Sequence, residues 1–289
     1  LFQIGILQLT QNLDDTVRGF KAGLEKLNIS AKFYYQNADG NTAHLKQLAE
    51  KLCKVKLDLF FACSTPAAAA AIELPGNIPV IFTPVFDPVG AGLVATWEKP
   101  GGKATGVAGM VKADQKISFV KKLLPRAKKI GVLYHNSDNN ALLEVSNFRK
   151  AATSIFHLEL LPIERPEALS KLPEILPPDL DALFLPIGRI VEENFASIVY
   201  YTDAISLPII ASHPPNVSAG ALAALVADHY QLGLACSTIA KDILAGKPAG
   251  MIPVESVTQP EILLNAFAAE NMGIEIPACL LKKAKEIYE

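Results

Sequence analysis

The feature that most constrains this chain is an alternation: a short, nearly continuous apolar run followed by an amphipathic helix, repeated along most of its length. Gln3–Leu9 reads as a strand, Asp14–Leu27 as a helix and Lys32–Gln36 as a strand. Thr42–Lys54 is a predicted helix, Leu57–Ala62 a strand, Pro66–Ile72 a helix with Pro at its first position, and Val80–Thr83 a strand. Strands apolar along their whole length must bury both faces. Alternating with helices, they predict a parallel sheet covered on both sides.

The alternation breaks between Asp87 and Asp114, a stretch rich in Gly and Pro, and restarts after Pro125. Lys129–Tyr134, Leu158–Pro162, Ala182–Pro186, Pro208–Ala211 and Ala221–Ala227 are the next strands, with helices at Ala141–Ser154 and Glu192–Ala204. Two such series predict an α/β protein of two doubly wound parallel-sheet lobes. After the helix Tyr230–Ala245, stopped by Gly246, come two extended pieces, Val254–Val257 and Ile262–Asn265, with Pro260 between them. A last helix is expected from Ala278 to Tyr288. The chain is expected to cross between lobes near residues 110, 228 and 259, a three-strand hinge. One lobe then comprises residues 1–112 and 230–257, and the other residues 113–229 and 258–289, with a ligand cleft between them. Few backbone rotations at such a hinge suffice to close it.

Several classes are excluded by what this chain of 289 residues lacks. No apolar run approaches the about 20 residues of a membrane span. Net charge is −2 and the Lys and Arg residues are scattered, so no basic stripe suits a nucleic acid. Cys53, Cys63, Cys236 and Cys279 are isolated, with no metal-ligand spacing. Cys53, Cys236 and Cys279 sit in apolar helical contexts and read as small buried hydrophobes. There is no G-x-S-x-G, G-x-x-x-x-G-K-[ST], H-E-x-x-H or G-x-G-x-x-G after the first strand. Neither catalysis nor a cofactor or metal is expected. The chain opens on Leu1, inside a predicted strand, which reads as a processed terminus.

In open parallel sheets ligands bind beyond the carboxyl ends of the strands. The first lobe places Gln8 and Leu9, Ser64-Thr65-Pro66-Ala67, and Thr83, Phe86 and Asp87 there. The second places Tyr134, Asn136, Ser137, Gly188, Arg189, Ser212 and His213 there, and Asp228 falls at a crossing. Ser64-Thr65-Pro66 has the form of a helix N-terminus, whose free N–H groups suit a carboxylate; it also reads as an ordinary cap. Asp87 and Asp228 suit an ammonium or hydroxyl group, or are turn and cap residues. Phe86 and Tyr134 offer an apolar floor, and Phe82 reads as core. Arg189 and His213 are polar groups at the second edge.

Nine blocks, in order, carry a resemblance. Among them are Gly5-Ile6-Leu7-Gln8, Ser64-Thr65-Pro66-Ala67-Ala68, Asp87-Pro88-Val89-Gly90-Ala91-Gly92-Leu93-Val94 and Lys99-Pro100-Gly101-Gly102-Lys103-Ala104-Thr105-Gly106-Val107. Lys122-Leu123-Leu124-Pro125, Ile130-Gly131-Val132-Leu133-Tyr134 and Gly220-Ala221-Leu222-Ala223 follow, then Asp228-His229-Tyr230-Gln231-Leu232-Gly233 and Ile252-Pro253-Val254-Glu255. Over nearly its whole length the chain resembles the substrate-binding proteins of ABC transporters that take tryptophan and other aromatic or branched amino acids. The resemblance implies a type I periplasmic-binding-protein fold and a small-molecule ligand, such as an amino acid, bound by hinge closure. It implies ABC permease membrane subunits as partners. An exported, monomeric protein is expected, periplasmic or a cell-surface lipoprotein, its signal segment upstream of this chain. By resemblance, Ser64-Thr65-Pro66-Ala67 holds the ligand carboxylate, Asp228 the amino group, and Thr83, Asp87, Asn136 and Ser137 line the pocket. The chain departs from that pattern at Pro186-Ile187-Gly188-Arg189 and Ser212-His213-Pro214-Pro215. The alternative reading is the ligand-sensing input domain of a signalling receptor, which shares this fold.

Overall fold

The computed structural model describes residues 1–289, the side chain of Asn12 excepted. It divides into two units, one of residues 1–110 and 227–259, the other of residues 111–226 and 260–289. In chain order the first unit opens with β1 (Phe2–Gln8), α1 (Asp14–Lys26), β2 (Ala31–Asn37), α2 (Leu45–Leu52) and β3 (Leu59–Cys63). It continues through α3 (Thr65–Ile72), β4 (Val80–Val85) and β5 (Ala104–Ala108). The second unit then runs through α4 (Ala113–Leu123), β6 (Lys129–His135), α5 (Asn139–Ala152), β7 (His157–Ile163), α6 (Leu172–Ile175) and β8 (Ala182–Leu185). Next come α7 (Arg189–Glu193), α8 (Phe195–Ala204), β9 (Ile209–Ala211), α9 (Pro215–Ser218) and β10 (Ala223–Val226). The chain returns to the first unit for α10 (His229–Leu244) and β11 (Glu255–Ser256). It closes the second with β12 (Glu261–Asn265), α11 (Ala266–Asn271), α12 (Ala278–Leu281) and β13 (Glu286–Tyr288).

The first sheet has the order β11-β5-β4-β3-β1-β2, and every pairing in it is parallel. The second has the order β13-β12-β10-β9-β8-β6-β7, parallel except where β12 runs antiparallel to β10. Both sheets reverse their winding direction at the first strand of the unit. β1 lies between β2 and β3, and β6 lies between β7 and β8. Loops leaving the two strands at such a switch point diverge to opposite faces and open a crevice.

The units also repeat each other in packing. In the first, Phe20 of α1 stacks on Phe61 of β3 with ring centroids 4.0 Å apart. In the second, Phe148 of α5 stacks on Phe184 of β8 at the same 4.0 Å. All four rings are fully buried, each contributing about 2–3 kcal/mol of burial. Helix α10 packs on α1 through glycine, because Gly233 leaves no room for a side chain: a Cβ there would stand 2.0 Å from the Thr16 carbonyl oxygen.

The structure differs from expectation at several places. Residues 227–229 and 258–259, expected in the second lobe, fall in the first unit, and residues 111–112, expected in the first lobe, fall in the second; Asp228 and His229 open the helix that packs on α1. The expected helix from Ala278 to Tyr288 is only the single turn α12, and Glu286–Tyr288 instead forms an edge strand beside β12. The predicted helix over Glu192–Ala204 is two, broken at Asn194, whose side chain donates to the Ile190 carbonyl.

Cys63 and Cys236 are fully buried, and burial pushes both thiols upward in pKa. Cys53 is half-buried and Cys279 exposed, the latter against the reading of it as a buried hydrophobe. Its position on the short helix α12 leaves the thiol side facing outward. A thiol reagent at pH 8 is expected to modify Cys279 first and Cys53 slowly in the native protein. Cys63 and Cys236 should react only after denaturation, which mass mapping of the modified peptides checks.

Candidate functional site

At the first unit's carboxyl edge, β1, β3 and β4 are neighbours in the sheet, so Leu9, Ser64, Thr65, Phe86 and Asp87 share one rim. Ser64 is the unusual residue. Its φ of 113° and ψ of 159° lie in a region open to glycine, yet its Oγ caps α3 by accepting from the Ala67 N–H at 3.3 Å. Such a backbone costs roughly 1–3 kcal/mol in a non-glycine residue and persists where the surroundings enforce it, often at ligand clamps. The Ala68 N–H is taken by the Ser64 carbonyl, and Pro66 has none. Of the first helical residues, Thr65 is therefore the one whose N–H has no hydrogen bond among the described residues. Replacing Ser64 by glycine should relieve the strain and stabilise the protein by about 1 kcal/mol, read as a rise in Tm.

Other expected contacts lie beneath this rim. Gln8 is fully buried and its amide is committed. Nε2 donates to the Thr10 carbonyl at 2.6 Å and to Asp14 Oδ1 at 2.8 Å, and Oε1 accepts from the Tyr35 hydroxyl at 2.7 Å. Burial and the nearby Asp14 charge raise the Tyr35 pKa, so it stays a donor. Gln8 thus shapes the loop after β1 rather than facing a solute. Thr83 is buried against the Cys236 thiol, and Ala67, in the first turn of α3, faces the hydrophobic core. Asp87 Oδ1 accepts from the Gly90 N–H at 2.9 Å, which makes it a turn residue with one oxygen to spare. Asp228 caps α10 with Oδ1, at 2.8 Å from the Tyr230 N–H and 3.2 Å from that of Gln231. Its other oxygen carries no hydrogen bond among the described residues.

At the second unit's edge, the loops after β6, β8 and β9 are adjacent. Tyr134 is half-buried, and Asn136 and Ser137 are exposed on the rim, with the Ser137 hydroxyl 2.7 Å from His135 Nε2. Gly188 is buried and its N–H donates to Glu192 Oε1 at 3.0 Å. Arg189 does not stand as a ligand-facing cation: its side chain is 83 % exposed, and its guanidinium is paired at 2.7 Å with Glu193, one turn along α7. His213 is half-buried, with Nε2 3.9 Å from Glu192 Oε2. Behind the rim, Ser212 donates to Glu144 Oε1 at 2.6 Å, and Lys116 reaches both Glu144 and Ser212. Sequence reasoning passed over Lys116 and Glu144. Each nevertheless lies among apolar residues of one helix face, Ile117 and Val120 beside the first, Ala141 and Phe148 beside the second. Among the described residues no group of three or more His, Cys, Asp or Glu side chains is placed to hold a metal, and no helix is long and apolar enough to cross a membrane.

Two doubly wound sheets, one wholly and one mainly parallel, each with a switch point and polar rim residues, define a protein of the periplasmic-binding class. The chain belongs to the ABC transporter substrate binding protein family, whose model matches residues 3–288. It is 34% identical over 269 residues to a tyrosine-binding protein of Clostridioides difficile strain R20291, covering 91% of this chain and 78% of the relative. Its structure resembles the ligand-free, open structure of a substrate binding protein with adhesive properties from Clostridium difficile, at a TM-score of 0.90 and 30% identity, over 100% of this chain and 99% of the other. It also resembles an ABC domain from Streptococcus pneumonia in complex with L-Trp, at a TM-score of 0.80 and 28% identity, over 99% of both chains.

Proposed function

We propose that this chain is the extracytoplasmic solute-binding protein of an ABC importer and that its solute is an aromatic amino acid. The observation that carries the reading is Ser64, held in a strained conformation at the N-terminus of α3, at the switch point of the first sheet. In this reading Thr65 and Ser64 receive the carboxylate at the positive end of that helix. The uncommitted oxygen of Asp228 takes the ammonium group. Phe86, at the same rim of the first unit, offers an apolar wall for the ring. The tyrosine-binding and L-Trp-bound relatives support the choice of an aromatic side chain.

The mechanism needs no chemistry on the solute. Binding requires differential affinity for an open and a closed arrangement, and the segments around residues 110, 227 and 259 are the hinge in this account. Closure excludes water, which strengthens the charged hydrogen bonds at both ends of the amino acid. ATP hydrolysis belongs to the importer's other subunits.

The test is a thermal-shift series on protein unfolded, dialysed and refolded, since a bound ligand raises stability by RT ln(1 + [L]/Kd). Tyrosine, tryptophan or phenylalanine should raise Tm, and arabinose and glucose should not. Asp228→Ala should weaken the binding at least about thirtyfold. Shifts with sugars alone would overturn the assignment.

A further inference from the structure

We propose that Lys116 and Glu144 form a buried positioning pair that locks the two loops of the second unit's carboxyl edge into one arrangement, and so sets its selectivity for the solute's side chain. The proposal rests on the solute-binding reading above. Glu144 divides its carboxylate between the two loops. Oε1 accepts from the Ser212 hydroxyl at 2.6 Å, in the loop after β9, while Oε2 accepts from the Ile187 N–H at 2.8 Å, in the loop after β8. Lys116 closes the arrangement by pairing with Glu144 Oε1 and donating to Ser212 Oγ at 2.8 Å. Its ammonium also stands 5.7 Å from the centroid of the Phe184 ring.

Both side chains are almost wholly buried, at 7 % and 5 % exposure. A pair so placed is a poor device for stability alone, because desolvation offsets most of its attraction. What it supplies is direction. Each hydrogen bond ends on a residue adjacent to one at the rim: Ile187 precedes Gly188, and Ser212 precedes His213. Glu192 adds a second tie nearer the surface, accepting from the Gly188 N–H and approaching His213. The two loops are thereby coupled through carboxylates and cannot shift independently. Lys116 lies on α4, the first helix after the chain enters this unit, so the same pair fixes α4 against α5.

The experiment compares wild type with K116M/E144L, which replaces the pair by apolar side chains of similar size, and with Ser212→Ala. Hydrogen–deuterium exchange is followed in peptides covering residues 185–190 and 210–214, together with Tm and titrations of L-tyrosine and L-tryptophan. In the double variant Tm should hold within a few degrees, exchange in both loops should quicken about tenfold or more, and the ratio of the two dissociation constants should change severalfold. Ser212→Ala should quicken the 210–214 peptide and leave 185–190 near wild type, which keeps the test decisive if the double variant fails to fold. Unchanged exchange in both variants would overturn the proposal, as would an unchanged selectivity ratio with quickened exchange. Wild type that binds neither amino acid would instead overturn the solute reading, and the exchange data would then decide the positioning role alone.

Discussion

Glu144→Ala alone is expected to destabilise the second unit by about 3–5 kcal/mol, because it leaves the Lys116 ammonium buried without its counter-charge. The Lys116 side chain is 7 % exposed and has Ser212 as its other polar neighbour. The Ile187 N–H loses its acceptor at the same time, which adds the smaller cost of a lost half-buried hydrogen bond. In a unit of this size the loss should lower the transition by roughly 10 °C. Scanning calorimetry should show the loss in the second unit's transition, and K116M/E144L should recover most of it. A drop of a degree or two for Glu144→Ala would mean that Lys116 finds water or another partner.

The second large effect falls in the first unit. Gly233→Ala should cost about 3 kcal/mol, the upper end of ordinary overpacking. The new Cβ would lie 2.0 Å from the Thr16 carbonyl oxygen and 2.7 Å from the Phe20 nitrogen. Those are backbone atoms of α1 and cannot swing aside, so α1 and α10 must separate and disturb the Phe20–Phe61 stack. Gly102 supplies the control: an added Cβ there meets nothing within 4 Å, and Gly102→Ala should leave the urea midpoint within about 0.5 kcal/mol of wild type. Equal effects at the two sites would contradict the close approach of the helices.

Most of the architecture was legible because apolar runs such as Leu59–Cys63 and Ala182–Leu185 have strand length and no polar face. Both-face burial leaves that signature directly in sequence. Loops following such strands could be named as a rim for the same reason. Ala104–Ala108 was hidden, since its small residues sit in a Gly- and Pro-rich stretch and become a strand through pairing with β4. Glu286–Tyr288 was hidden likewise: three residues have no period, and their strand form comes from β12. At the rim, position along the chain was readable but orientation was not. Gln8 faces inward because Tyr35 and Asp14 converge on it, and Arg189 turns to Glu193 on its own helix. The Lys116–Glu144–Ser212 contacts join residues 28 and 68 positions from Glu144, a pairing that no local pattern encodes.

The central claim is recognition of an aromatic amino acid through both its charged ends. Isothermal titration calorimetry on refolded, ligand-free protein tests it, with L-tyrosine compared against tyramine, which lacks the carboxylate, and 3-(4-hydroxyphenyl)propionate, which lacks the amine. The account predicts one-to-one binding of L-tyrosine and a loss of at least about tenfold in affinity for each truncated analogue. Equal binding of all three, or no heat with any aromatic amino acid, would contradict it.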